Sequence, residues 1–358
     1  MNALATFFPA TRAWFEASFR APTEAQERGW PAIASGTHTL IHAPTGSGKT
    51  LAAFLWTLDQ LLHRPTPTKL ERCRVLYISP MKALAFDVDR NLRSTLMGIR
   101  HAAARLELGD LPEIDTFLRT GDTPADERRR MLRNPPDILI TTPESLYLML
   151  TSQARDVLAT VEWVIVDEVH AVAGSKRGAH LALSLERLER IAHRPPQRIG
   201  LSATQRPLET IARFLGGGIP TSESLWTPRP VDIVDVPGDK EIEVELVVTV
   251  DDMTTPPAPP VSMDTPAEII DGPTKQSPAR SGIWPSIYPG LLELIGQHRS
   301  TIVFANSRRL AERICAEINL LAGKEVARAH HGSVSRDQRV AIEEPLKRGE
   351  LPAVVATS

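Results

Sequence analysis

Five short runs constrain the fold most: Thr39-Leu-Ile-His42, Val75-Leu-Tyr-Ile78, Asp137-Ile-Leu-Ile140, Trp163-Val-Ile-Val166 and Arg198-Ile-Gly-Leu201. Their apolar residues are consecutive rather than alternating, and many are β-branched. A strand with one wet face alternates, whereas a strand apolar throughout has both faces covered, as in the middle of a parallel sheet. Helix-patterned stretches lie between the runs, such as Ala179–Ile191 with leucines at 181, 185 and 188. The repeat predicts a doubly wound α/β lobe over residues 1–230, with ligands at the carboxyl ends of its strands.

The pattern changes at Pro228-Arg-Pro230. Residues 241–250 begin by alternating strictly, which reads as an edge strand. From Asp251 to Pro285 the chain is rich in Pro, Ser and Thr, and this predicts a flexible insertion over 251–285. Structure resumes at Ile287 and leads to a strand at Thr301-Ile-Val-Phe304. A helix over about 307–320, a short strand, a helix over about 335–348 and the run Ala353-Val-Val-Ala356 follow. Residues 231–358 thus read as a second α/β lobe that has started and lacks its later elements. At 358 residues the chain is long enough for two cores.

The phosphate-binding signal is Ala43-Pro-Thr-Gly-Ser-Gly-Lys-Thr50, set between a buried strand and a helix over 51–62. Gly46 and Gly48 let the backbone curl, so that Thr45, Gly46, Ser47 and Gly48 can turn N–H groups toward a phosphate chain. Lys49 would reach the outer phosphates of ATP, and the Thr50 hydroxyl would ligate Mg²⁺. A plain Gly/Ser turn before a helix is the bland alternative, and the strand–loop–helix context speaks against it. The first position is Ala43 where the general pattern has Gly. Downstream, Trp163-Val-Ile-Val-Asp-Glu-Val-His170 ends an apolar strand in two carboxylates. Asp167 would hold Mg²⁺ and Glu168 would polarise the attacking water. Ser202-Ala-Thr204 follows another strand, where its two hydroxyls could bond that carboxylate pair and shift with the nucleotide. Alone, each of these last two signals is weak.

In this order and spacing the three motifs resemble superfamily 2 helicases, and the resemblance implies roles elsewhere. Phe19-Arg-Ala-Pro-Thr-Glu-Ala-Gln26 looks like an adenine-reading motif, with Gln26 on the base edge and the aromatic stacked on it. Ser79-Pro-Met-Lys-Ala-Leu-Ala85, Arg119-Thr-Gly-Asp122 and Thr141-Thr-Pro-Glu144 match loops that grip a single strand's backbone, which would place Pro80, Lys82, Gly121, Thr142 and Pro143 on nucleic acid. Asp-Glu-Val-His, followed by Gly174-Ser-Lys-Arg-Gly-Ala-His-Leu-Ala-Leu-Ser-Leu-Glu-Arg-Leu188, is similar to the Lhr (large helicase-related) family. So are Val236-Pro-Gly-Asp-Lys-Glu241, Ser300-Thr-Ile-Val-Phe-Ala-Asn-Ser-Arg-Arg-Leu-Ala-Glu312 and Ala329-His-His-Gly-Ser-Val-Ser335. That likeness implies two RecA-like lobes and ATP-driven 3′-to-5′ movement on single-stranded DNA. It further implies unwinding of duplexes or DNA–RNA hybrids and a part in DNA repair. Asn306, Ser307, Arg308, His331 and Gly332 would then be strand contacts, and His170 would couple the ATP site to the second lobe. Val354-Val-Ala-Thr-Ser358 looks like the opening of motif V, so this resembles an N-terminal fragment that binds ATP and turns it over poorly.

Lys176 and Arg177 follow the carboxylate pair closely enough to touch a phosphate, with a solvated loop as the equal alternative. Ala125–Arg133 carries a basic cluster that reads better as a solvated helix face. His330 and His331 lack further ligands at metal spacing. The formal net charge of −2 gives no global basic field, so any nucleic-acid site has to be local. The two cysteines, Cys73 and Cys315, speak against a disulfide framework or structural zinc and for a reducing cytoplasm. No apolar run approaches the roughly 18 residues a membrane helix needs. Two rival readings stay open: an RNA helicase of the Asp-Glu-x-Asp/His type, and a nucleotide-dependent nucleic-acid-binding module without turnover.

Overall fold

A computed structural model describes residues 3–203, 206–220, 226–238, 243–248, 283–334 and 336–357. Along the chain the first strands are β1 (His38–His42), β2 (Val75–Ile78), β3 (Thr116–Arg119), β4 (Ile138–Thr141), β5 (Trp163–Val166) and β6 (Gln197–Ser202). The ribbon β7 (Gly218–Pro220) and β8 (Trp226–Pro228) follows, then β9 (Val231–Asp235). Seven of these form one wholly parallel sheet in the order β3-β4-β2-β5-β6-β1-β9, and the antiparallel ribbon stands apart.

Alternate residues of each inner strand serve opposite cores, which explains the non-alternating sequence. Ile41, Tyr77, Ile140 and Ile165 pack under α1 (Pro9–Ser18), α2 (Glu24–Ala34), α3 (Lys49–His63) and α4 (Lys82–Arg105), with Phe15, Trp30, Leu58 and Ile99 above them. Leu40, Leu76, Leu139 and Val164 face the other way. There they meet α5 (Ala125–Arg133), α6 (Pro143–Leu150), α7 (Val169–Ala173), α8 (Lys176–Ile191) and α9 (Leu208–Gly216), through Met131, Leu146, Val172, Leu181 and Ile211. Each such side chain contributes about 1.5–3 kcal/mol on burial.

Both edge strands, β3 and β9, escape the sequence reading. Their exposure is mixed, so neither shows a continuous apolar run. Because β9 pairs in register with β1, the first compact unit runs to Lys240 rather than stopping at 230. The alternating run expected as an edge strand forms none where it is described. Residues 243–248 lie outside any ladder, with Val244 85% and Leu246 92% exposed. Alternation permits a strand, but pairing needs a partner edge. The insertion expected over 251–285 falls outside the described residues as far as 282.

The second unit holds β10 (Thr301–Ala305), β11 (Ala327–His330) and β12 (Ala353–Thr357) in a parallel sheet ordered β10-β12-β11. Helices α10 (Trp284–Gln297) and α11 (Arg308–Ala322) cover one face through Tyr288, Ile295, Ile314 and Ile318. Helix α12 (Arg336–Arg348) supplies Ile342 to a smaller cluster with Leu351 and Val354. Among the described residues no helix is long and apolar enough to cross a membrane.

Candidate active site

Since every strand of the large sheet runs the same way, the loops after β1, β5 and β6 emerge on one edge. Strand β6 lies between β1 and β5, so the Pro44–Thr50 loop and Asp167 are two strand spacings apart, about 10 Å. Lys49 bridges much of that gap: its ammonium lies in the electrostatic reach of both Glu168 and Asp167. It is 7% exposed and donates to the carbonyls of Ala43, at 2.5 Å, and Pro44, at 2.8 Å. Burial pushes its pKa down while the two carboxylates oppose that. The cation expected to meet phosphate is therefore held by its own loop.

The loop's shape rests on two left-handed residues, Gly46 at φ 83° and Gly48 at φ 80°, the latter ending directly in α3. Gln26 braces it. In a capping box its Oε1 accepts the Thr23 N–H at 3.0 Å, and its Nε2 donates to the Gly48 carbonyl at 3.4 Å. Thr23 Oγ1 donates to the Ser47 carbonyl at 2.7 Å. Gln26, expected to read the adenine edge, is 3% exposed with its amide engaged by the chain. Phe19 is 42% exposed and packs on Phe15 and Trp14. The Ser47 hydroxyl is buried with no partner among the described residues, and Thr50 is half-buried.

Asp167 is 3% exposed. Its Oδ2 accepts a very short hydrogen bond from the Tyr77 hydroxyl, and its Oδ1 accepts the Glu168 N–H at 2.9 Å. Burial raises its pKa, the Tyr77 bond works the other way, and Glu168 adds to the rise. Tyr77 was not singled out in sequence; the one signal was a hydroxyl in an otherwise aliphatic strand. Glu168 sits in the left-handed region at φ 46°, a conformation that costs a residue with a Cβ about 1–2 kcal/mol. His170 Nδ1 stands 3.2 Å from Glu168 Oε2 and 3.3 Å from the Ala203 nitrogen. Unprotonated, it accepts from Ala203; protonated, it donates to Glu168. The tautomer decides which neighbour is held.

Ser202 departs from expectation. Its hydroxyl is fully buried and has no partner among the described residues instead of bonding the carboxylates, although its carbonyl accepts the Ala43 N–H at 3.1 Å. Thr204 lies outside the described residues. One sheet position further along, His42 Nδ1 is 2.8 Å from Asp235 Oδ1, and Arg206 reaches Asp235 Oδ2 at 3.0 Å. That cluster depends on β9, which the sequence reading missed.

The strand-end loops are largely tied down. Lys82 pairs with Asp122 at 2.7 Å, beside Gly121. Arg177 forms a two-pronged pair with Glu144. Thr142 is 4% exposed and caps α6, Pro143 is buried at the helix start, and Pro80 is buried. Helix termini fix these positions by local hydrogen bonding, so the same residue types that could grip phosphate also cap helices. Lys176 is exposed and makes no polar contact among the described residues. In the second unit Ser307 caps α11 and Arg308 donates to Ser333 at 2.6 Å, near the exposed Gly332. Asn306 is exposed. His331 is 8% exposed and lies 2.6 Å from Glu312.

The DEAD/DEAH box helicase model matches residues 23–212, from the α2 cap through most of α9. The chain belongs to the DEAD/DEAH box helicase family. Within superfamily 2 it is of the Lhr type. It is 47% identical over 391 residues to the Lhr helicase/uracil glycosylase of Escherichia coli K12, an alignment spanning 98% of this chain and 24% of that protein. It is 42% identical over 356 residues to the ATP-dependent helicase Lhr-Core of Methanothermobacter thermautotrophicus, spanning 98% of this chain and 38% of that one. Mycobacterium smegmatis helicase Lhr bound to ssDNA and AMP-PNP superposes with a TM-score of 0.77 at 49% identity, covering 100% of this chain and 42% of the other. The RecA-like fold recurs in the DEAD-box helicase Mss116 bound to ssRNA and UDP-BeF, with a TM-score of 0.66 at 16% identity and 98% and 64% of the two chains covered. This Lhr-type chain thus spans about a quarter of the length of the E. coli relative it matches.

Proposed function

We propose that this chain is the ATP-fuelled motor part of a nucleic-acid helicase that moves 3′ to 5′ along single-stranded DNA and serves DNA repair. The observation that carries the reading is Lys49, buried between its own loop carbonyls and the charges of Asp167 and Glu168, at one edge of a parallel sheet. An incoming triphosphate would take over the Lys49 ammonium, and the N–H groups of the Gly46–Gly48 curve and the start of α3 would face it. The donor set suits Mg²⁺: the Thr50 hydroxyl and the Asp167 carboxylate are hard oxygens, and nucleotide phosphates would complete the shell. Bound there, the ion would neutralise charge on the transferring phosphoryl group. Glu168 is the base candidate for the attacking water, and His170 Nδ1 can hold either Glu168 or the Ala203 amide, according to its tautomer. A sequence 47% identical to an Lhr helicase and a fold shared with an ssDNA-bound Lhr support single-stranded DNA as the track.

The test is ATP hydrolysis by this chain alone, with single-stranded DNA, and with the matched RNA. Stimulation by DNA above RNA supports the proposal. Greater stimulation by RNA would reassign the track, and nucleotide binding with no turnover on any strand would reduce the chain to a nucleotide-dependent binding module.

A further inference from the structure

At the opposite edge of the large sheet, where β2 and β5 begin, a cavity of about 410 Å³ is lined by Arg64, Glu71, Arg74, Glu162, His193 and Arg194 among others. Most charges here are matched. Arg64 donates to Glu162 at 2.8 Å and lies over the Trp163 ring, and Arg72 grips Asp137 with two nitrogens. Glu71 accepts from the Thr68 hydroxyl at 2.8 Å. Arg74 is the exception. It is 6% exposed, its Nε is buried without a partner, and no atom of its guanidinium makes a hydrogen bond or ion pair among the described residues. Burial pushes its pKa down, against the more distant pull of Glu162 and Asp137.

A buried charge without a partner is costly, and native proteins satisfy nearly all such groups. Here the unsatisfied group lines an opening large enough for a ligand, with two further cationic or titratable side chains, His193 and Arg194, exposed around it. Three side chains bearing N–H donors line this one cavity, a set that suits a tetrahedral oxyanion, and the guanidinium fork matches phosphate geometry. We propose that this cavity binds a small phosphate-type oxyanion, with Arg74 holding it from the buried side and Arg194 and His193 from the rim. The site is separate from the Pro44–Thr50 loop, which lies on the other edge of the sheet, and the proposal does not depend on that loop's function.

The experiment titrates pyrophosphate into the whole chain carrying Lys49→Ala, which silences the phosphate loop, and follows both heat of binding and thermal midpoint. The unsubstituted chain saturated with AMP-PNP and Mg²⁺ serves as a second background. Saturable binding is expected in both, accompanied by a rise in midpoint. Adding Arg74→Met should weaken it at least tenfold, and Arg194→Gln several-fold. Without ligand, Arg74→Met should leave the midpoint unchanged or raised, because it removes an uncompensated buried charge. Three results would overturn the proposal: no pyrophosphate binding once the loop is silenced or filled, undiminished affinity in Arg74→Met, or acetate binding as well as pyrophosphate. A sharp fall in the ligand-free midpoint of Arg74→Met would also count against it, since it would mean that Arg74 is already paired.

Discussion

Replacing Gly48 with Ala probes the brace between Gln26 and the Pro44–Thr50 loop. At φ 80° a residue with a Cβ gives up about 1–2 kcal/mol. The added Cβ would also lie 2.6 Å from Gln26 Nε2, so the amide has to leave. Its departure breaks the bonds to the Thr23 N–H and the Gly48 carbonyl, together about 1 kcal/mol given the length of the second. Gly48→Ala should therefore destabilise the first unit by about 2–3 kcal/mol. In a Gln26→Ala background the amide is already gone, and the same change should cost only the backbone part. The assay is a double-mutant cycle read from urea midpoints at constant slope, with a coupling of about 1 kcal/mol expected. Strict additivity, within about 0.3–0.5 kcal/mol, would show that Gln26 does not brace the loop and refute the reasoning.

Other outcomes follow from the same geometry. Lys49→Ala should abolish nucleotide binding in a titration while leaving the circular dichroism unchanged. Glu168→Gln should bind Mg²⁺-ATP normally and fail to hydrolyse it, which binding and turnover assays separate. Tyr77→Phe removes a hydrogen bond that lowers the Asp167 pKa, so the acid limb of Mg²⁺-dependent nucleotide binding should move to higher pH. Arg198→Met should destabilise the fold by about 3–5 kcal/mol, toward the lower end because Arg229 still bridges Glu186 and Glu189. Burial raises the Glu186 pKa, but its bonds to Arg229 and Arg198 outweigh this and leave it below 4.5. Its contribution is thus full above that pH and is lost on acidification, and Arg198→Met should flatten the acid side of a stability–pH curve.

Much of this protein was legible in its residues. Strands buried on both faces need consecutive apolar side chains, and a phosphate loop needs glycines where φ is positive; both requirements are local and therefore written in sequence. The inner strands of the large sheet, the Gly46–Thr50 curve and the Asp167–Glu168 pair emerged for that reason. The edge strands β3 and β9 did not, because an edge tolerates polar residues and its pairing depends on what lies beside it. Nor did the partners of long side chains. That Gln26 clasps Thr23 and Gly48, that Lys82 and Arg177 meet Asp122 and Glu144, and that Arg198 stands buried among two carboxylates while Arg74 has none are facts about which distant segments the sheet brings together. Sequence determined which chemistry each segment could offer. Tertiary structure decided which of those groups were already engaged, because hydrogen bonds and ion pairs form over a few ångströms of space and residues far apart along the chain become neighbours only on folding.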